Sequence, residues 1–169
     1  MNLLFGLVSL VPLILNGALF LSERGGDSEE LGNLKKLESS ISSAQTVFVN
    51  QGFEPLIPWV YVTGDFAKWR MIPISDEMVK NPGISPTQAV KNIKDKIELA
   101  MQSGSTVIVG PMWDFSENVF VGSLRTVARP EISRAIYTEL KSRYAATPLV
   151  DTSWGRFYKL YRRKDMPGN

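Results

Sequence analysis

The sequence predicts an α/β fold: an N-terminal transmembrane helix followed by a small three-layer domain with a mainly parallel sheet and a C-terminal antiparallel hairpin. Three observations predict it. Met1 to Leu21 carry no charged side chain. Short β-branched runs then alternate with segments of helical period. Finally, two strand-like runs flank the turn Thr152-Ser153-Trp154-Gly155. The 169 residues divide on this reading into an anchor over 1–22, a flexible linker over 23–32, one soluble domain over 33–164 and a polar tail over 165–169.

The anchor is the first element. As a helix, Leu3 to Leu21 reaches ~28 Å at roughly 1.5 Å per residue, which matches a hydrocarbon core of about 30 Å. The run is apolar on all sides, unlike a surface-lying amphipathic helix. Pro12 is tolerable in a membrane helix, and Gly6, Asn16, Gly17 and Ala18 are the small or polar residues suited to packing on a partner helix. A cleaved signal peptide is the alternative, but no Lys or Arg precedes Arg24 and no good small-residue cleavage site follows the apolar core. Arg24, Lys35 and Lys36 lie after the span, which by the positive-inside tendency favours a cytoplasmic domain. Small exported domains on N-terminal anchors favour the opposite side. Both orientations stay open, with a lean to the extracytoplasmic one.

Ser22 to Gly32 mixes glycines with charges and reads as a tether. Leu31, Leu34, Leu37, Ile41 and Ala44 then mark one face of an amphipathic helix. Thr46 to Asn50 is a buried strand running into Asn50-Gln51-Gly52. Glu54 to Val62, with Pro55, Pro58, Trp59 and Tyr61, is either a short helix or an irregular aromatic segment. Trp69 to Ser75 is a second strand, placed at an edge or ending by Pro73. Ser85-Pro86-Thr87-Gln88 signals a helix start with a capping box. Val90, Ile93, Ile97, Ala100 and Met101 form that helix's apolar stripe, and Gly104 stops it. Thr106 to Gly110 is an apolar strand buried on both faces. Pro111 to Thr126 is a long irregular connection. Pro130 opens the next helix, with Ile132, Ala135, Ile136, Leu140 and Tyr144 inward, and the hairpin of 148–151 and 156–162 ends the domain.

Composition excludes several chemistries. The chain has no Cys and no His, which removes disulfides, thiolate catalysis, the usual zinc, haem and iron–sulfur ligation, and histidine acid/base work. No Gly-rich phosphate loop and no G-x-S-x-G elbow occur. Lys and Arg number 19 against 17 Asp and Glu, so no overall field recruits nucleic acid. The tail is locally basic: from Lys141 onward it carries Arg143, Arg156, Lys159, Arg162, Arg163 and Lys164 against Asp151 and Asp165 only. These residues either contact anionic headgroups or form the solvated face of a strand, the second being preferred because Tyr158, Leu160 and Tyr161 alternate with them.

Candidate ligand-binding residues follow from position. Ligands of parallel α/β sheets collect beyond the carboxyl ends of strands. Asn50 and Gln51 leave one such end, and Trp113, Asp114 and Glu117 leave another, with Arg125 further along the same connection. Asp114 and Glu117 suit an acid/base pair or a hard cation, Trp113 a stacked sugar or base, and Arg125 an anion. The plainer reading is preferred: Asp114 and Ser116 cap turns and Trp113 fills core. No cofactor or resident metal is expected.

The succession VFVNQG, PWVYVTGDF, VIVGPMW and TSWGRFYKLYRRK resembles the extracytoplasmic α/β domain, with its preceding membrane helix, of polytopic glycosyltransferases that use lipid-linked sugars. That family's catalytic acids lie in loops between membrane helices this sequence lacks, so the resemblance implies a detached non-catalytic module. The function expected is that of a single-pass, membrane-anchored accessory subunit of an integral membrane complex. The alternatives are a tethered glycan- or nucleotide-sugar-handling domain and a ligand-binding sensor.

Overall fold

A computed structural model of the chain describes residues 27–41, 45–51, 69–124 and 129–166. The expected span Met1 to Leu21, its packing residues Gly6, Asn16, Gly17 and Ala18, the segment Glu54 to Val62 and Arg125 all lie outside them. No helix among the described residues is long and apolar enough to cross a membrane.

The described chain is an α/β domain built on one five-stranded mixed sheet of order β2-β1-β3-β5-β4. β1 (Thr46–Asn50) is flanked in parallel by β2 (Trp69–Pro73) and β3 (Thr106–Val109). β4 (Tyr144–Thr152) and β5 (Gly155–Arg162) form an antiparallel hairpin, and β5 joins the sheet antiparallel to β3. The edge position expected for the Pro73 strand is therefore found. The basic strand keeps Arg156 exposed and Lys159 partly exposed. It is an interior strand, with Phe157, Tyr158 and Leu160 all buried.

Strand alternation divides the core into two. On one face Val47, Val49, Ile72, Val107, Val109, Tyr158 and Leu160 meet the helices α2 (Ile74–Lys80), α3 (Pro86–Gln102), α4 (Glu117–Leu124) and α5 (Pro130–Arg143). On the other, Phe48, Trp69, Ile108 and Phe157 pack with Leu37 of α1 (Asp27–Ser40). Helices thus cover both faces, as expected of three layers. Phe48 is the centre of the smaller cluster: its ring lies 5.2 Å from Trp69 and, edge-on, 6.5 Å from Phe157.

Helix starts and stops are partly as the sequence predicts. Ser85 Oγ accepts from Gln88 N at 3.2 Å and Pro86 takes the first helical position. The reciprocal half of the capping box is not made, because the Gln88 amide donates to Asn92 Oδ1 instead. Gly104 ends α3 at φ +78°, a value only glycine adopts without cost. α1 begins at Asp27, inside the stretch read as tether; Glu29 in its first turn has the sign a helix start favours.

The largest departure is the connection after β3. Pro111–Asp114 forms a 3-10 turn and Glu117–Leu124 a helix, where an irregular loop is expected. Phe120 and Leu124, four apart and fully buried, hold that helix down, and the Phe120 ring lies 5.5 Å from Tyr137 of α5. Likewise α2 starts at Ile74, immediately after the edge strand, where the sequence carries strand-like residues up to Ser75.

The direction of α1 is fixed by its partners. Its end precedes β1 by only a few residues, at the N-terminal edge of the parallel strands. At its middle, Asn33 donates to Ser153 Oγ at 2.5 Å and accepts from Ser153 N at 3.1 Å. Ser153 lies in the β4–β5 turn, next to Gly155, which abuts Pro111 beyond the C-terminal end of β3. The helix therefore runs from the C-terminal edge of the parallel strands to their N-terminal edge.

Candidate functional site

At the C-terminal edge, β1 and β3 are where the chain reverses its order across the sheet, since β2 lies to one side of β1 and β3 to the other. Such a point is where α/β sheets open a crevice. Asn50 and Gln51 leave β1 there. Asn50 is fully buried and points to the α1 face, where its amide donates only to Met71 Sδ at 3.4 Å, and its Oδ1 has no partner. Gln51 donates to Ser123 Oγ of α4 at 2.5 Å, while its carbonyl accepts from Ser75 N at 3.2 Å. These bonds tie the end of β1 to the helices beginning after β2 and β3.

Trp113 and Asp114 turn away from this point toward β5 and α5. The Asp114 carboxylate accepts a hydrogen bond from Tyr158 OH. Burial pushes the Tyr158 hydroxyl above its ordinary pKa, and the bond to Asp114 pushes it further. Lys141 of α5 stands 4.0 Å above the Trp113 ring and donates to the Trp113 carbonyl. Its pKa is lowered by burial, which Asp114 opposes. Glu117, at the start of α4, faces Arg134 at 3.3 Å. The two acids named as an acid/base pair are thus each committed to a different basic or hydroxyl partner. Among the described residues no cluster of three metal-ligating side chains occurs.

A second group of polar residues gathers at the opposite edge, where the sequence reading named only the basic run. There α3, α5, the start of β4 and the end of β5 converge on Glu98. Glu98 Oε1 accepts from Tyr144 OH at 2.9 Å and Oε2 from Arg162 Nε at 2.6 Å. Burial pushes the Glu98 carboxyl up, but the bonds from Arg162 and Tyr144 outweigh it, so its pKa falls below the ordinary value. Tyr144 is fully buried, and burial together with Glu98 raises its pKa strongly. Arg163 donates to the carbonyls of Ser142 at 2.8 Å and Lys141 at 2.6 Å, capping the C-terminus of α5. Arg143 and the Arg162-Arg163-Lys164 run were visible in the sequence as a basic tail; their convergence on Glu98, which helical period places on the solvent-facing side of α3, was not.

The chain matches no protein-family model, no curated protein and no solved structure.

Proposed function

We propose that the protein is a non-catalytic, single-pass membrane-anchored accessory subunit that docks on or stabilises a larger integral membrane complex. The observation that carries this reading is the direction of α1. It starts at Asp27, six residues after the apolar run ends at Leu21, and it starts at the C-terminal edge of the parallel strands. With the run inserted, that edge faces the bilayer and the opposite edge faces away. The membrane-proximal surface then consists of the β1 end, the turn at Trp113 and α4.

The polar residues of that surface support contact rather than reaction. Gln51, Asp114 and Glu117 are held by Ser123, Tyr158 and Arg134. These bonds join neighbouring elements of the domain itself. Resemblance to a detached glycosyltransferase module agrees with that reading. Size analysis after mild detergent extraction tests the proposal: the full chain runs with an integral membrane partner, and Gly17→Leu with Ala18→Leu dissociates it while leaving insertion intact. A clean monomer from the native membrane overturns the reading.

A further inference from the structure

The edge that faces away from the α1 start carries an open cleft of about 460 Å³, lined by Glu98, Ser142, Arg143, Arg162, Arg163 and Lys164. That is the size of a small-ligand site, and the lining holds four cations against one carboxylate. Both oxygens of that carboxylate are already engaged, by Tyr144 and Arg162. Two of the three arginines of the wall, Arg143 and Arg162, are gripped from behind. Arg143 is held through Nε by Glu139 at 2.5 Å, and Arg162 through Nε by Glu98 and through Nη1 by Asp165 at 3.2 Å. Both Nη groups of Arg143, the Nη2 of Arg162 and the ammonium of Lys164 have no partner among the described residues.

Guanidinium groups fixed on one side and open on the other present paired N–H donors, the geometry that suits phosphate oxygens. The carbonyl end of α5 opposes an anion at this place, but Arg163 covers its last carbonyls. A second open cleft of about 280 Å³ also touches Arg162 and is lined besides by Met101, Lys159, Tyr161 and Asp165, a mixed polar and apolar surface.

We propose that this cleft binds a soluble phosphate-bearing ligand, its phosphate among Arg143, Arg162 and Lys164. The choice of a soluble ligand over a lipid headgroup rests on the anchored reading. With the run inserted, the start of α1 lies toward the bilayer and the cleft lies past the other end of the helix, about 21 Å further on along its 14 residues. The cleft is therefore on the side of the domain turned away from the bilayer.

Pyrophosphate is the probe. Titrated calorimetrically into the full chain in uncharged detergent, it binds saturably, more weakly as salt rises. The double variant Arg143→Gln, Lys164→Gln binds it about tenfold more weakly or worse with an unchanged melting temperature. Absence of saturable binding to the wild type, or equal binding by the variant, overturns the site whatever the chain's partners are. In a second arm the chain is reconstituted in phosphatidylcholine vesicles with and without phosphatidate. Pyrophosphate affinity is the same in both; competition by phosphatidate of the chain's own bilayer overturns the soluble source and, with it, the membrane-distal placement.

Discussion

Tyr144 and Arg162 are joined through one carboxylate: Glu98 takes the tyrosine hydroxyl on one oxygen and the guanidinium on the other. The two residues also face each other across β4 and β5. Glu98 thereby locks α3 to the end of the hairpin, and Glu98→Ala leaves a buried hydroxyl and a three-quarters buried guanidinium without it. A loss of about 2–3 kcal/mol in urea unfolding is expected.

The same residue sets an acid limb. The Glu98 pKa in the fold lies below its ordinary 4.5, so its stabilising contribution is complete above that value and disappears as pH falls through the lower folded pKa. Stability measured from pH 6 down to about pH 3 therefore falls more steeply in the wild type than in Glu98→Gln. Parallel curves refute the assignment.

Gly155 is predicted to tolerate no side chain. Its φ is +116°, and a Cβ built there lies 2.7 Å from the Pro111 ring. Gly155→Ala should cost at least ~2 kcal/mol, seen as a lowered melting temperature. Pro111→Ala in the same chain relieves part of the loss if the clash is its source.

Asn50→Leu should stabilise the domain. The Asn50 side chain is fully buried, with Oδ1 unpartnered and one weak bond to sulfur. Removing an unsatisfied carboxamide gains ~1 kcal/mol, read as a higher urea midpoint. A lower midpoint means that the amide is bonded in solution.

Asp114 and Glu117 separate by partner exposure. Asp114→Ala leaves the Tyr158 hydroxyl proton without its acceptor, Arg156 being only a donor beside it, in a residue 6% exposed, and costs ~1–2 kcal/mol. Glu117→Ala breaks only an exposed pair with Arg134 and changes stability by less than ~1 kcal/mol. Equal effects in thermal melts contradict the distinction.

What was legible locally was what nearest neighbours dictate. The Ser85-Pro86 start, the Gly104 stop, the strands at Thr46 and Thr106 and the turn before Gly155 each rest on residues adjacent in the chain. The missed helix at Glu117–Leu124 shows the limit: its segment, ENVFVGSL, has weak helical character, and it is Phe120 and Leu124 docking on α5 that make it one. Of the candidate site, the strand ends were found where alternation of β and α places them. The pairings of Asp114 with Tyr158 and of Glu117 with Arg134 were not, since each partner arrives from another element.

By itself the sequence determined the layered α/β class, the antiparallel final hairpin and the absence of thiol and imidazole chemistry, because periodicity and composition are properties of the chain alone. The tertiary structure decided that the basic strand lies inside the sheet, that α1 starts at the strand ends, and that Glu98, Arg143 and Arg162 meet. Those facts depend on burial and on the order of strands across the sheet. Hydrophobic pattern fixes which face of an element is inward, but only the packing of all elements together fixes which neighbour it meets.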